Sequence, residues 1–211
     1  MKRLLIAALA LALVPGVAEA KKKKKTYCQR AVALEHGKVV KKTNGVTVYT
    51  RSRSFSACSD SKRKAFGLYI LDPGYKITQV VAAKGRCVAI RYGGKGKPDE
   101  ILTKDLGGKE IGSSVTVVGY NNPAGIVGSM SVSTNCVVAW GEAVTDAAGT
   151  TTYRVRLKAF GAATDVTSGV VNEIATVGSF DDIRHVSVKA VGRKVAVSWT
   201  QGGVRQTKAL P

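Results

Sequence analysis

The fold is decided by the stretch Ile183-Arg-His-Val-Ser-Val-Lys-Ala-Val-Gly-Arg-Lys-Val-Ala-Val-Ser-Trp199. On each side of Gly192, apolar residues take every second position, and most of the positions between them are polar. A period of two places one set of side chains on a buried sheet face and the other set toward solvent. Glycine between two such runs is typical of a hairpin turn. The stretch therefore predicts two antiparallel strands, with His185 on the polar face of the first.

The same pattern recurs along the chain as a unit of strand, turn and strand, followed by a polar hairpin and a third strand. Its three clear copies are Ile77–Tyr92 with Glu100–Leu106, Gly128–Trp140 with Thr151–Phe160, and Ile183–Trp199 with Val204–Leu210. A weaker copy runs from Val39 to Cys58. Lys158 falls in the polar phase of its strand, and no amphipathic helix is predicted from Thr26 onward. The sequence predicts an all-β fold.

From residue 38 to 211 the chain resembles loosely defined β-propeller blades and a group of uncharacterised exported bacterial β-repeat proteins. The features behind this resemblance are an apolar strand ending in Trp or Tyr, a glycine-containing hairpin and a further strand. The resemblance implies a propeller-like antiparallel repeat of three to four units. Closed propellers typically have four to eight blades, so an antiparallel β-sandwich is the alternative.

The first twenty residues have the pattern of a secretory signal peptide. Lys2 and Arg3 precede an apolar run over residues 4–14, and residues 18–20 read Ala-Glu-Ala, a small-x-small cleavage pattern. The run is too short to cross a bilayer as a helix, which takes roughly 20 residues. We therefore predict a secreted or extracytoplasmic protein without a transmembrane segment after cleavage. Domain boundaries are predicted as a signal peptide over 1–20, a basic disordered arm over 21–27 and a single all-β domain over 28–211.

The arm is a run of lysines directly after the predicted cleavage site. It consists of Lys21, Lys22, Lys23, Lys24 and Lys25. Positive charge at this place opposes translocation of the segment, so the run conflicts in part with the export prediction. Such a run is usually a solvated tail, and docking on an anionic surface is the functional alternative.

Four cysteines follow the signal peptide: Cys28, Cys58, Cys87 and Cys136. An even number in an exported chain favours disulfides. Three pairings are possible, and we take the sequential one, Cys28–Cys58 and Cys87–Cys136, as the prediction. Cys87 and Cys136 fall at matching places in neighbouring units, and neighbouring blades can lie farther apart than the ~7 Å Cα limit of a bridge. A Cys87–Cys136 bridge therefore requires two units closer than blades usually lie. No Cys-x-x-Cys pair occurs, so no zinc site is predicted.

Residues able to perform catalysis are few. The histidines are His36 and His185, and both are interpreted as solvated surface residues. The segment 93–98, Gly-Gly-Lys-Gly-Lys-Pro, lacks the spacing of a phosphate-binding loop and is interpreted as a hairpin tip. The carboxylates considered as acid–base candidates are Asp99, Glu100, Glu142, Asp146, Asp181 and Asp182. Neighbours on a strand point to opposite faces, so neither acidic dipeptide can place both groups in one site.

Trp140 and Trp199 occupy equivalent places in two units, with Tyr92 one residue beyond that place in a third. A sugar-binding platform is conceivable, but repetition at one structural position favours packing between sheets. The sequence thus predicts no catalytic, cofactor-binding or metal-binding residues and no cofactor.

The formal net charge of the chain is +19. An exported protein of this charge is attracted to anionic polymers, although charge spread over both faces also serves solubility. We predict a non-catalytic exported β-repeat protein that associates with the cell envelope or an anionic extracellular ligand, and no nucleic acid partner. The alternatives are a secreted carbohydrate-active hydrolase, such as a glycoside hydrolase, and a structural or scaffold module for a protein partner.

Overall fold

The computed structural model describes residues 24–70, 73–95, 97, 99–107, 113–117, 125–158, 171–192 and 194–210. The predicted signal peptide and Lys21 to Lys23 lie outside the described residues. Lys24, Lys25 and Thr26 are exposed and without regular structure, and Tyr27 begins a helix.

The described chain contains one α-helix, one short 3₁₀ helix over Asp182–His185, and strands that pair only antiparallel. The helix is α1 (Tyr27–Leu34). The strands are β1 (Lys38–Thr43), β2 (Val46–Arg51), β3 (Ser54–Ser59), β4 (Lys64–Ile70), β5 (Lys76–Ala83), β6 (Cys87–Gly93), β7 (Glu100–Asp105), β8 (Ser113–Val117), β9 (Ile126–Val132), β10 (Val138–Thr145), β11 (Thr151–Lys158), β12 (Val171–Val177), β13 (Ser187–Val191), β14 (Lys194–Gln201) and β15 (Val204–Leu210). The all-β prediction is confirmed.

The strands form four sheets, each built from consecutive strands in chain order. Sheet 1 contains β1 to β4, sheet 2 contains β5 to β8, sheet 3 contains β9 to β12, and sheet 4 contains β13 to β15. Each predicted unit coincides with the first three strands of one sheet, including the weaker copy, which is sheet 1. The described strands form four sheets, whereas the alternative, a β-sandwich, has two. The propeller-like arrangement stays a prediction.

A tight turn joins the first two strands of sheet 1. Asn44 and Gly45 have φ angles of 43° and 79°, so both central residues of the β1–β2 hairpin take the left-handed conformation. Asn-Gly suits this turn because asparagine tolerates a positive φ and glycine has no Cβ to oppose it. The turn fixes the β1–β2 register, in which Thr43 lies opposite Val46.

The sheets pack face to face in the order of the chain, with one apolar cluster at each interface. Between sheets 1 and 2 the cluster includes Val48, Phe55, Ile90, Tyr92 and Leu102. Between sheets 2 and 3 it includes Ala89, Ile101, Met130, Val138 and Trp140. Between sheet 3 and sheet 4 it includes Val155, Leu157, Ile183, Val197 and Trp199. Each inner sheet therefore buries both faces, which is how a repeat of small units forms a continuous core.

Three local predictions were wrong. Helix α1 was missed; it covers the outer face of sheet 1 and begins with a capping box in which Thr26 and Gln29 bond each other's backbone N–H groups. His185 ends the 3₁₀ helix instead of lying on a strand, because Ile183 turns inward and is fully buried. Lys158 is only 6% exposed at the end of β11, and this burial lowers the pKa of its amine.

In the part of the chain that the structure describes, no helix has the length and apolarity to cross a membrane.

Candidate functional site

The hairpin turns at one end of the stack contact one another. We call this surface the hairpin end; it is formed by residues 24–25, 44–45, 60–63, 84–86, 105–107, 133–137, 192 and 194. The Asn44 amide donates to the carbonyl of Ala82 at 2.7 Å, and the Gly85 N–H donates to the Asn44 carbonyl at 2.6 Å. Farther along, the Asn135 amide donates to the Gly192 carbonyl at 3.3 Å. These bonds join the turns of sheets 1 and 2 and those of sheets 3 and 4.

Both disulfides lie at the hairpin end. Cys28–Cys58 connects α1 to β3, and Cys87–Cys136 connects β6 to the loop before β10, with Cα separations of 5.6 Å and 5.1 Å. The predicted sequential pairing is confirmed. Cys87–Cys136 reaches between sheets because Cys87 faces sheet 3 and Cys136 precedes the strand in a turn with a φ of 58°. The two cysteines are therefore not equivalent strand positions, contrary to the sequence alignment of the units.

Cations dominate the exposed side chains of this end. Lys24 and Lys25 precede α1, whose first turn lies beside the β3–β4 turn because the Cys28 N–H donates to Asp60 at 2.7 Å. The β3–β4 and β5–β6 turns and the start of β14 add further exposed cations. These are Lys62, Arg63, Lys84, Arg86 and Lys194.

The described acids of the hairpin end, Asp60 and Asp105, are both engaged in internal contacts. Asp105 accepts from the Arg86 guanidinium at 2.8–3.2 Å and from the Gly107 N–H at 2.7 Å. The hydrogen bonds and charge of Asp105 raise the pKa of Arg86. Asp60 receives the Cys28 N–H. The end thus presents a surplus of positive charge.

The predicted acid–base candidates lie elsewhere, and each has partners that hold the fold. Glu142 is 4% exposed; it accepts from the Trp140 indole N–H and from Arg156, both at 2.8 Å. Arg156 also approaches Glu173 at 3.6 Å. The Asp99 carboxylate is paired with Arg91 at 2.7 Å. These contacts explain the burial of charged groups, which is costly without partners.

The remaining candidate acids close turns or bind neighbouring groups. Asp146 accepts from the N–H groups of Ala148 and Thr150 at 2.9 and 2.8 Å. Asp182 accepts the Gly202 N–H at 2.9 Å, and Asp181 lies 3.5 Å from Arg184. Glu100 accepts the Tyr92 hydroxyl at 2.6 Å. These acids therefore serve hairpin turns, hydrogen bonds and ion pairs.

The aromatic residues singled out by the repeat are core residues. Tyr92, Trp140 and Trp199 each lie on the second strand of a sheet, face the preceding sheet and are at most 7% exposed. Tyr49 holds the corresponding place in sheet 1, faces α1 and donates to Glu35 at 3.0 Å. The packing interpretation is confirmed. Only Trp199 of these four lacks a hydrogen-bond partner for its polar group within the described residues.

Other candidate residues do not converge on a site. His36 and His185 are exposed and lie in different segments. The tip that contains Lys97 is a hairpin connection, since it joins the antiparallel strands β6 and β7. The Lys97 nitrogen lies 4.4 Å from the centre of the Tyr75 ring. Among the described residues, the group of three possible metal ligands within 4.8 Å of one another is Cys87, Asp105 and Cys136, and its two sulfurs are the disulfide.

Sequence reasoning missed the cations of the hairpin end as a group. Lys62 and Arg63 stand together in a turn, which is a visible signal, but the approach of Lys84 and Arg86 to them depends on how sheets 1 and 2 stack.

No family model and no curated protein matches this chain. Among solved structures, the chain is similar to one from a structural and mechanistic analysis of two prolyl endopeptidases, with a TM-score of 0.43 and 13% sequence identity. The alignment covers 85% of this chain and 31% of the endopeptidase chain, so the present chain spans about a third of its length. At this TM-score the similarity carries no argument about function.

Proposed function

We propose that this protein is a non-catalytic, exported β-repeat protein that associates with the cell envelope by binding an anionic polymer at its hairpin end. The observation that carries the proposal is the charge of that end. Several exposed cations from the segment before α1, the hairpin turns and β14 share one surface, and the two acids described there are held by internal partners. Such a surface attracts polyanions over a distance of about a Debye length.

The kinds of cation at the hairpin end favour a flexible polymer as ligand. Apart from Arg63 and the paired Arg86, the exposed cations are lysines. A lysine is a compact point charge that imposes little geometry on its partner, whereas a site for one discrete phosphate or carboxylate usually uses arginine forks. We infer a linear polymer with repeated phosphate or carboxylate groups.

Export is supported by the two disulfides, which are typical of an oxidising, extracytoplasmic environment. The signal-peptide pattern of the first twenty residues agrees with this environment. The resemblance to exported bacterial β-repeat proteins stays a prediction.

A binding role is favoured over a hydrolase because the described carboxylates are committed to structural contacts. Glu142, the most deeply buried acid among the candidates together with Asp182, is already compensated by Arg156 and by the Trp140 N–H. A general acid must reach the group of the substrate that it protonates, and both carboxylate oxygens of Glu142 are already engaged inside the protein.

Sedimentation with isolated bacterial cell walls tests the proposal. The protein should pellet with walls at low salt and be released progressively as salt rises, because exposed ion pairs are screened. Walls stripped of their anionic polymers should retain much less protein. Equal retention on stripped walls, or no retention at low salt, would contradict the proposal.

A further inference from the structure

A cavity of about 230 Å³ lies between the first turns of α1 and strands β1 and β2. Val32 and Val39 form an apolar wall, and buried Cys28, fixed by its disulfide, lies at the helix side. The polar lining includes Lys42, Thr47 and Asp60. The cavity is therefore mixed in character: apolar side chains form one part of its lining, and polar and charged side chains, with Thr26 and Gln29 among them, form the other.

The two charged side chains of the cavity have opposite sign and are not paired with each other. No ion pair within 4.0 Å joins Lys42 or Asp60 to another charged group in the part of the chain that the structure describes. An unpaired cation and anion that line one cavity match a ligand that carries both charges.

The fold holds both charged residues in place. Asp60 is fixed by the 2.7 Å bond from the Cys28 N–H, at the N-terminal end of α1, where a carboxylate is favoured. Lys42 lies opposite Thr47 in the β1–β2 register, so both side chains point to the α1 side of sheet 1. The flexible stem of Lys42 lets its ammonium group follow the anionic end of a ligand.

We propose that this cavity binds a compact zwitterion, namely a free α-amino acid with an aliphatic side chain. The ligand's ammonium group contacts Asp60, its carboxylate contacts Lys42, and its side chain packs on Val32 and Val39. A simple anion would be repelled by Asp60, and a simple cation would be repelled by Lys42 and by the nearby Lys24 and Lys25. Both charges on one small molecule are needed to satisfy the site.

The test uses leucine and two analogues that each lack one charge: leucinol, without the carboxylate, and 4-methylpentanoate, without the ammonium. Titrations followed by amide NMR should show saturable shifts at Val32, Val39 and Thr47 with leucine. Each analogue should bind about tenfold more weakly, the change expected for the loss of one charged hydrogen bond. No saturable shift up to about 20 mM leucine, or equal affinity for 4-methylpentanoate, would overturn the proposal.

Variants separate the cavity from general surface charge. Lys42→Gln should weaken leucine binding about tenfold, and Asp60→Asn should weaken it similarly while its Oδ1 still accepts the Cys28 N–H and preserves the fold. Lys41→Gln is the matched control. Lys41 lies opposite Val48, which faces sheet 2, so its side chain is on the face of β1 away from the cavity. The variant should leave leucine binding unchanged. An equal loss in Lys41→Gln would contradict the assigned site.

The proposed amino-acid site and the proposed polymer-binding surface can be tested independently. Neutralising Lys62, Arg63 and Lys84 should weaken polymer binding and leave leucine binding intact, since none of the three lines the cavity. If leucine binding is absent while walls still retain the protein, the amino-acid site is wrong and the proposed function stands.

Discussion

Cys87 and Cys136 join sheets 2 and 3 across a Cα distance of 5.1 Å, at the surface where the hairpin turns meet. The bridge spans 49 residues of sequence and closes a loop that contains most of sheet 2. It therefore affects both the stability of the stack and the spacing of the cations on the turns.

Replacing both cysteines, Cys87→Ala with Cys136→Ala, should lower the free energy of unfolding by about 3–4 kcal/mol, because the unfolded chain loses its cross-link. Urea unfolding of the oxidised protein and the double variant measures this difference. The matched double variant at Cys28 and Cys58 removes a bridge between residues 30 positions apart, and its free energy of unfolding should fall by slightly less. An unchanged midpoint for the Cys87/Cys136 variant would show that the bridge does not form in solution.

Trp140 and Trp199 should respond differently to the same substitution. Trp140→Phe removes the 2.8 Å bond to buried Glu142 and should cost about 1–3 kcal/mol beyond the loss of ring area. Trp199→Phe removes an N–H that has no partner among the described residues, so its free energy of unfolding should fall only through the loss of ring area. Chemical denaturation of the two variants provides the comparison, and a larger loss in Trp199→Phe would contradict the assigned contacts.

Gly141 should not tolerate a side chain. A Cβ at this position would lie 2.5 Å from the Cβ of Ile183 and 2.5 Å from its carbonyl oxygen, so sheet 3 and the 3₁₀ helix would have to separate. Gly141→Ala should therefore destabilise the protein by about 1–3 kcal/mol. Gly67→Ala is the control because no heavy atom lies within 4 Å of its Cβ. Thermal unfolding that places both variants at the same midpoint would refute this packing.

Tyr49 should make stability depend on pH in the alkaline range. Burial, followed by the hydrogen bond and the charge of Glu35, raises the pKa of Tyr49 to about 12 from the model-peptide value of 10.0. Between these values the folded state holds a proton that the unfolded state releases, so stability falls as pH rises from 10 to about 12.

Tyr49→Phe should remove this part of the decline, which denaturation series between pH 9 and about 12 would measure. Glu35→Gln should remove only part of it, because burial is the largest cause of the raised pKa. If the slope of wild type and Tyr49→Phe is the same over this range, the buried Tyr49–Glu35 contact is not formed.

The strand repeat could be predicted because a period of two marks strands buried on one face, and three strands of every sheet were recognised in this way. The fourth strands were missed, and in β12, with its sequence Val-Asn-Glu-Ile-Ala-Thr-Val, the apolar residues do not alternate regularly. Helix α1 was missed because eight residues give a weak helical period. Its capping box, Thr26-Tyr-Cys-Gln29, was the available signal.

Disulfide formation was predictable from the even number of cysteines and the export signal, whereas the sequential pairing was one choice among three. The way in which Cys87 and Cys136 meet was not predictable. Their place depends on a left-handed residue at Cys136 and on how sheets 2 and 3 stack, which are tertiary features. The hairpin end also depends on tertiary structure. The sequence shows its cations, and only the stacking of the sheets shows that they share a surface.

The central claim is that the hairpin end binds an anionic polymer. Neutralising three exposed cations there (Lys62→Gln, Arg63→Gln and Lys84→Gln) can be compared with neutralising three exposed cations at the opposite end (Lys38→Gln, Arg51→Gln and Arg53→Gln). Both variants lose the same charge, so an effect of net charge alone is identical in the two.

The most direct measurement is the anisotropy of fluorescently labelled polyphosphate titrated with each variant over a range of salt concentrations. The hairpin-end variant should bind about tenfold more weakly near 50 mM salt. The slope of log K against the logarithm of the salt concentration should be smaller in magnitude by about 2, as expected for three lost phosphate contacts. The opposite-end variant should bind within about threefold of wild type. Equal weakening in both variants would contradict the account, because binding would then follow net charge and not the hairpin end.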